Sequence, residues 1–157
     1  MTAQPDINQA VQTQVYRWAY RVLRDHHDAL DATQDVLIKW LKSGGSKIEN
    51  RHAWLRRTTI NHCIDHIRRE RTTDQTSPEP SSRSTPAVEA GREELRDLVV
   101  DGLSRLTDMQ RATVAAKVFD RETFAAIAAS MGLSVSSVKT HYVRGLSALR
   151  DSLGEYM

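Results

Sequence analysis

Residues 123–144, TFAAIAASMGLSVSSVKTHYVR, decide the fold of the second half of the chain. The pattern predicts a short alanine-rich helix from Phe124 to Met131, a turn at Gly132, and a longer helix that begins after Ser134. Small side chains let two helices approach closely, and glycine adopts the left-handed conformation that ends many helices. The stretch therefore predicts a helix-turn-helix, which presents its second helix to a partner.

The second helix of this motif has an apolar face and a polar face. Helical spacing turns five apolar residues inward: Val135, Val138, Tyr142, Leu146 and Leu149. The same spacing turns six polar residues outward: Ser136, Ser137, Lys139, Thr140, His141 and Arg144. Short hydroxyls and long cations reach phosphates and base edges, and residues 135–150 contain no acidic residue. These features favour DNA binding over the alternative, a three-helix bundle whose polar face is merely solvated.

The region upstream of this motif divides the chain in two. Apolar residues at helical spacing predict further helices over residues 93–106 and 108–119. Residues 72–92 contain three prolines among serines and threonines and have little to bury, which predicts a flexible linker. The fold class is therefore all-α, with two small helical domains over residues 1–71 and 93–157 joined by that linker.

The first domain shows three helical patterns, over residues 10–23, 29–42 and 51–71, with a turn at residues 25–28. The second helix is predicted to turn apolar residues inward, namely Leu30, Val36, Leu37, Trp40 and Leu41, and polar residues outward, namely Asp28, Asp31, Gln34 and Asp35. The third carries six arginines against two acidic residues. It is a candidate phosphate binder, although a solvated basic face is an equal alternative on this segment alone.

Composition excludes several classes of protein. Cys63 is the only cysteine, so the chain has no internal disulfide. His62 and His66 are four residues apart, but only Asp65 or Glu70 stands nearby as a third ligand, so we expect no metal site. No nucleophile, base or cofactor motif is recognisable, so we expect neither an enzyme nor a cofactor. The chain has no apolar run of about 18 residues and no export signal, so we expect no membrane insertion and a cytoplasmic location.

Two blocks of sequence resemble the extracytoplasmic function (ECF) sigma factors, the smallest sigma-70 type subunits of bacterial RNA polymerase. Residues 28–40, DALDATQDVLIKW, are similar to the core-binding helix of sigma region 2, and His52-Ala-Trp-Leu55 with Arg57, Asn61 and Arg68 is similar to the adjoining helix that melts and reads the −10 element. Residues 106–111, 124–128, 131–134 and 137–144 resemble region 4, which reads the −35 element. The two blocks in this order are far more specific than either block alone.

The resemblance implies a regulator of transcription initiation, with core RNA polymerase and promoter DNA as partners. Core polymerase would bind Asp28, Asp31, Gln34 and Asp35. The −10 element, partly single-stranded, would be bound by Lys47, Asn50, Arg51, His52, Trp54, Arg57, Asn61 and Arg68. The −35 duplex would be bound by Ser136, Ser137, Lys139, Thr140, His141 and Arg144. The family also implies an anti-sigma factor that holds the protein inactive.

Some residues depart from the family pattern. Arg121 and Glu122 stand where a glycine and an apolar residue are common, and Thr58, Thr59 and Ile60 replace the usual apolar, small and basic residues. His141 replaces a frequent arginine, which removes a constant positive charge and can shift base preference.

Two other functions are compatible with parts of the sequence. A response-regulator-type activator shares the Ser-Val-Lys-Thr-His pattern but would need a βα receiver domain in the first half. A helical adaptor that binds only proteins would tolerate neutralisation of Arg57, Arg68, Lys139 and Arg144. The absence of strand patterns disfavours the activator, and the basic helices disfavour the adaptor.

Overall fold

A computed structural model of the chain describes residues 7–44, 50–73 and 86–154. These residues form seven α-helices and no strand, which confirms the predicted all-α class. The helices are α1 (Gln9–Leu23), α2 (His26–Lys42), α3 (Arg51–Thr73), α4 (Pro86–Arg105), α5 (Asp108–Phe119), α6 (Phe124–Met131) and α7 (Val135–Gly154). Helices α1–α3 pack as one bundle, and α4–α7 pack as a second.

The connection between α1 and α2 is shorter than predicted. The sequence predicted a turn over residues 25–28, but only Arg24 and Asp25 leave the helical conformation, Arg24 with a left-handed φ of 56° and Asp25 in an extended conformation. Asp25 then caps α2 by accepting a hydrogen bond from the Asp28 backbone N–H at 2.9 Å. Asp28 consequently lies in the first turn of α2, where the helix dipole favours a negative charge.

The buried face of α2 also differs from the prediction. Val36 and Trp40 are buried as expected, but Leu30 is 41% exposed and Leu41 is 53% exposed. Small residues fill the remaining inward positions of α2: Ala29, Ala32 and Thr33. They let α1 and α3 approach α2 closely, and the two leucines are left on the outer surface.

The second bundle begins earlier along the chain than predicted. Helix α4 starts at Pro86, inside the predicted linker, and proline at a first helical position costs nothing because that N–H is unpaired anyway. Residues 74–85, the middle of the predicted linker, lie outside the described part of the chain. Within α4, Leu95 and Val99 are exposed and Val100 and Leu103 are buried, and Leu106, just after the helix, is buried as well.

The helix-turn-helix forms where the sequence placed it. Thr123 caps α6 by accepting a hydrogen bond from the Ala126 backbone N–H, and Gly132 ends the helix with a left-handed φ of 66°. Ile127 and Val138 are fully buried between α6 and α7. Val135 and Leu146, predicted to face inward, are 39% and 38% exposed.

The two bundles also contact each other. Ile60 and Ile64 of α3 belong to the same buried apolar cluster as Leu103 of α4 and Val114 of α5. Polar groups surround this contact, and they include several of the residues that the sequence predicted to bind DNA.

Candidate nucleic-acid and partner interfaces

The exposed face of α7 carries most of the residues predicted to read duplex DNA. Ser136, Lys139, Thr140 and Arg144 are all exposed, and together with the apolar side chains of Val135 and Val143 they line one open groove. Hydroxyl, cationic and methyl groups on one helical face match what a major groove offers. The structure therefore brings four of the six predicted −35 residues together.

The other two predicted −35 residues lie at the edge of this face. Ser137 is half-buried: its backbone N–H donates to the Ser134 hydroxyl at 3.1 Å, which caps α7, and its own hydroxyl accepts from the Ser134 hydroxyl at 3.0 Å. His141 is also half-buried. Sequence spacing placed both on the outward face, but it could not show that the start of α7 turns Ser137 back toward its own cap.

The aromatic residues of the second bundle hold α7 against α6. The rings of Phe124 and Tyr142 meet edge to face with centroids 5.3 Å apart. The Nζ atoms of Lys117 and Lys139 lie 4.4 Å and 5.9 Å from the Phe124 ring centroid. A cation over an aromatic face is attracted to it, so Lys139 is partly oriented before any partner binds.

Helix α3 presents the residues predicted to bind the −10 element. Asn50 caps this helix by accepting from the Ala53 backbone N–H at 2.9 Å, and Arg51 and Arg68 are exposed. Trp54 is half-buried against Trp40, with ring centroids 5.2 Å apart, so one part of its ring is core and another part is accessible. Lys47 lies outside the described residues.

Three further predicted −10 residues contact the second bundle. The guanidinium of Arg57 and the amide of Asn61 (3.1 Å) both donate to the Asp108 carboxylate, and Arg111 donates to the Asn61 carbonyl oxygen at 2.8 Å. The Nε2 atom of His52 lies 3.6 Å from carboxylate oxygens at the other end of this contact. Sequence reasoning predicted these three side chains for DNA, and the structure shows that acidic groups of the same chain occupy them.

The centre of the contact is a residue that the sequence analysis missed. The side chain of Arg56 is only 4% exposed, and its guanidinium donates to Asp120 at 2.8 Å and to Glu122 at 2.9 Å. The indole N–H of Trp18 also donates to Asp120, at 2.9 Å. No local signal distinguished Arg56 from its neighbour Arg57, although Glu122 had stood out as a departure from the family pattern.

The Asp120 carboxylate is held in its charged form. Burial by itself would raise the pKa of Asp120, but His52, Trp18 and Arg56 all stabilise the anion and together lower the pKa from 3.8 to about 2. The cost of desolvating this carboxylate is therefore more than offset by its three partners in the first bundle.

The outer face of α2 carries the predicted polymerase-binding acids. Asp31, Gln34 and Asp35 are exposed, and Asp28 is half-buried. Three exposed apolar side chains, Leu30, Ile38 and Leu41, lie on the same helix. This combination of acidic and apolar groups suits a basic, partly apolar protein surface.

Two histidines of α3 lie behind these acids. The Nε2 atom of His62 is 3.4 Å from Asp35, and that of His66 is 3.9 Å from Asp28. Burial, followed by the nearby positive charge of Lys39, lowers the pKa of His62, so its ring is neutral at pH 7. The Lys39 ammonium then donates to Nδ1 at 3.2 Å, which leaves the proton on the nitrogen that faces Asp35.

In the part of the chain that the structure describes, two groups of side chains could in principle hold a metal ion. Asp28, His66 and Glu70 form one group, and His52, Asp120 and Glu122 form the other. In the second group the Arg56 guanidinium already binds both carboxylates. The sequence considered Glu70 beside His66 but could not foresee Asp28, which comes from another helix.

The described residues include no helix long and apolar enough to cross a membrane.

Comparisons with known proteins identify both halves of the chain. Residues 8–73 match the model of sigma-70 region 2, and residues 96–149 match that of sigma-70 region 4. The chain is 30% identical to the ECF RNA polymerase sigma factor SigM of Mycobacterium tuberculosis over 146 residues, which cover 90% of this chain and 72% of that protein.

Two further known proteins are similar to the chain. The ECF RNA polymerase sigma factor SigK of Mycobacterium sp. (strain KMS) is 25% identical over 151 residues, covering 90% of this chain and 78% of that one. A structure of the sigma factor RpoE in complex with the anti-sigma factor NepR from Bartonella quintana aligns over 92% of both chains, with 22% identity and a TM-score of 0.49. The two matched regions and the identity to SigM show that the chain belongs to the ECF RNA polymerase sigma factors of the sigma-70 family.

Proposed function

We propose that this sigma factor divides transcription initiation among three helical faces: α2 binds core RNA polymerase, α3 binds the −10 element, and α7 binds the −35 element. The observation that carries the proposal is which charged side chains each helix exposes: Asp31 and Asp35 on α2, Arg51 and Arg68 on α3, and Lys139 and Arg144 on α7. The domain division predicted from the sequence, residues 1–71 and 93–157, fits this assignment and is part of the proposal.

The α2 face supplies the polymerase contact. Asp31 and Asp35 project from the outer side of the helix, and complementary charge would guide a basic polymerase surface to them. The exposed Ile38 and Leu41 would then be buried in the complex and add apolar contact area. His62 acts as a positioning residue, since it holds Asp35 from behind.

The α3 face supplies the contacts that open the promoter. Arg51 and Arg68 are exposed cations that would bind phosphates of the non-template strand. The accessible part of Trp54 would stack on an unpaired base, and the Asn61 amide would hydrogen-bond a base edge. Binding energy gained only with single-stranded DNA favours the melted state over the duplex.

The α7 face supplies the duplex contact at the −35 element. Lys139 and Arg144 would bind phosphates or guanine, Ser136 and Thr140 would bind phosphates or base edges, and Val143 would pack on a thymine methyl group. The protein would act in the cytoplasm with the polymerase. An anti-sigma factor as a further partner follows from the family alone.

In vitro transcription tests the proposal. Purified protein is added to sigma-free bacterial core polymerase on a library of genomic fragments, and RNA start sites are mapped by sequencing. The proposal predicts new start sites that share two upstream sequence elements. Asp31→Arg should remove all of these start sites. Lys139→Ala with Arg144→Ala should remove the start sites that depend on the −35 element. Asp151→Arg, an exposed site at the end of α7, is the control for charge reversal. Duplex binding without any new start site would overturn the proposal.

A further inference from the structure

Three side chains that can bind a metal ion converge from two helices of the first bundle. Asp28 lies in the first turn of α2, and His66 and Glu70 lie one turn apart on α3. The Nε2 atom of His66 is 3.1 Å from Glu70 Oε1 and 3.9 Å from Asp28 Oδ2. One ligand atom from each of the three residues lies within 4.8 Å of the other two. These three residues form the α2–α3 cluster.

The imidazole of His66 has a nitrogen atom without a hydrogen-bond partner. Its Nε2 atom is shielded from solvent, and no described residue forms a hydrogen bond with it, although the Glu70 carboxylate is close. A polar atom that is removed from water and left without a partner costs free energy. A metal ion bound to this nitrogen removes that cost, because a neutral imidazole presents a lone pair there.

The spacing of the ligand atoms suits a small divalent ion. Zn²⁺ binds histidine nitrogen and carboxylate oxygen at about 2.1 Å, so neighbouring ligand atoms of a tetrahedral site lie about 3.4 Å apart. The two distances from His66 Nε2, 3.1 Å and 3.9 Å, bracket that value. Small rotations of the Asp28 and Glu70 side chains would bring all three atoms to bonding distance, because both carboxylates are partly exposed.

The charge around the α2–α3 cluster also favours a cation. In the other group of possible ligands, the Arg56 guanidinium already binds the carboxylates of Asp120 and Glu122. Asp28 differs, because within the described part of the chain its ion-pair partner is His66, and no lysine or arginine pairs with it. A divalent ion would neutralise the two carboxylates of the cluster.

We propose that Asp28, His66 and Glu70 bind a divalent transition-metal ion, such as Zn²⁺, that joins α2 to α3. The nitrogen ligand favours such an ion over Mg²⁺ and Ca²⁺, which prefer oxygen ligands. Three protein ligands leave a further coordination position for water or for a ligand from a partner. The expectation of no metal site, drawn from the sequence, counted only ligands of α3, because the approach of Asp28 depends on how the two helices pack.

Ion binding would change the face of α2 that is proposed to bind polymerase. The two carboxylates lose their net charge when they bind a divalent ion, and Asp28 is one of the four residues predicted to contact polymerase. Zn²⁺ should therefore weaken docking on core polymerase. This consequence rests on the proposed function of α2, whereas the metal site itself does not.

Calorimetric titration with Zn²⁺ tests the site. The untagged full-length protein, freed of metal with a chelator, should bind Zn²⁺ with an affinity that an excess of Mg²⁺ leaves unchanged. His66→Ala should weaken binding by about a hundredfold, whereas His27→Ala, which removes an exposed histidine of α2, should change it little. Native affinity in His66→Ala, or displacement of Zn²⁺ by Mg²⁺, would overturn the proposal.

Carboxylate variants test whether the ion joins the two helices. Asp28→Asn and Glu70→Gln change partly exposed side chains, so both proteins should keep the helical circular dichroism of the native chain. Each should bind Zn²⁺ about tenfold more weakly. Asp31→Asn, which changes an exposed carboxylate of α2, is the matched control. Native affinity in a folded Asp28→Asn protein would overturn the link between α2 and α3.

Thermal unfolding supplies a readout that does not depend on calorimetry. A ligand that binds only the folded state stabilises it, so Zn²⁺ at about a hundred times its dissociation constant should raise the Tm of the native protein by about 5 °C. Glu70→Gln should show a smaller rise at the same Zn²⁺ concentration. Equal rises in the two proteins would contradict binding at the α2–α3 cluster.

Polymerase binding separates the metal site from the proposed function. Zn²⁺ should raise the dissociation constant for core polymerase in the native protein and should have less effect in Glu70→Gln, which keeps Asp28. If Zn²⁺ binds and stabilises the protein but leaves polymerase affinity unchanged, the metal site stands and its effect on docking is refuted. If the protein binds Zn²⁺ but starts no transcription with core polymerase, the metal site stands and the proposed function is refuted.

Discussion

The Arg56 guanidinium lies 2.8 Å from the Asp120 carboxylate, although the two residues are 64 positions apart in the chain. Arg56 is 4% exposed and Asp120 is 14% exposed, so water screens this ion pair weakly. Trp18 completes the group by donating to the same carboxylate. This pair is one of several polar links between the two bundles, and the hydrogen bonds of Arg57 and Asn61 to Asp108 are another.

Arg56→Ala should destabilise the protein by about 2 kcal/mol, because it leaves two carboxylates without their buried cation. Arg56→Lys should recover only part of this loss, since an ammonium lacks the planar fork that binds both acids. Urea unfolding followed by circular dichroism measures the effect. Arg17→Ala, an exposed change on α1, is the control and should alter the free energy of unfolding by less than about 0.5 kcal/mol. Equal effects of the two alanine variants would contradict the prediction.

Acid should weaken the contact between the bundles over a defined range. The pKa of Asp120 is lowered from 3.8 to about 2 in the folded protein, so its contribution is fully present above about pH 4 and is lost as the pH falls through 2. This contribution of Asp120 to the free energy of unfolding is about 2 kcal/mol. The difference in unfolding free energy between the native protein and Asp120→Asn, measured from pH 5 to pH 2, should shrink accordingly. The other ionisable groups are common to both proteins, so their contributions largely cancel in this difference. A constant difference would refute the assignment.

Charge reversal on α2 should weaken polymerase binding. Asp31→Arg and Asp35→Arg should each raise the dissociation constant for core polymerase by about tenfold or more, because like charges would then face each other at the interface. Titration with labelled core enzyme measures this constant, and Asp151→Arg serves as the control. An unchanged affinity would remove α2 from the polymerase interface.

His62→Ala tests the positioning of Asp35 separately. The variant keeps every exposed acid but removes the ring that lies 3.4 Å from the Asp35 carboxylate. We expect a weaker polymerase affinity, with a loss smaller than that of Asp35→Arg. In the double variant His62→Ala with Asp35→Ala, the histidine change should add nothing to the loss caused by Asp35→Ala. Fully additive losses would show that His62 acts through the fold instead.

Neutralising the cations of α7 should weaken duplex binding and reduce its dependence on salt. Lys139→Ala with Arg144→Ala removes about two phosphate contacts, so the slope of log affinity against log salt should flatten by about two. Fluorescence anisotropy with a −35 duplex at several salt concentrations measures the slope. Arg150→Ala, near the end of the same helix, should change it little. An unchanged slope in the double variant would exclude this face.

Gly145→Ala should disrupt the packing of α7 on α5. An added Cβ would lie 2.8 Å from Val114 Cγ2, closer than carbon atoms pack, so the Val114 side chain or one of the two helices would have to shift. We expect a loss of about 2 kcal/mol in unfolding free energy. Gly91→Ala in α4 is the matched control, because an added Cβ meets nothing there within 4 Å and should stabilise the helix slightly. If Gly145→Ala instead stabilised the protein, helices α5 and α7 would have to be less closely packed than described above.

The local sequence determined the helices and the helix-turn-helix. Thr107 and Thr123 cap α5 and α6, and Gly132 ends α6 in a left-handed conformation, as their residue types predict. These features depend on hydrogen bonds between residues three or four positions apart, so sequence spacing is enough to find them. Helical periodicity predicted the polar face of α7 in part: Ser136, Lys139, Thr140 and Arg144 are exposed as expected, but Ser137 and His141 are half-buried.

The tertiary structure decided which residues are buried or paired with residues of the other bundle. Helical spacing predicted that Leu30 and Leu41 are buried. Both are exposed, because α1 and α3 pack on the alanines of α2 instead. Spacing also treated Arg56 and Arg57 alike. Only the approach of α5 buries Arg56 between two acids and turns Arg57 toward Asp108, because a contact between residues more than 50 positions apart depends on how the bundles pack and leaves no local pattern.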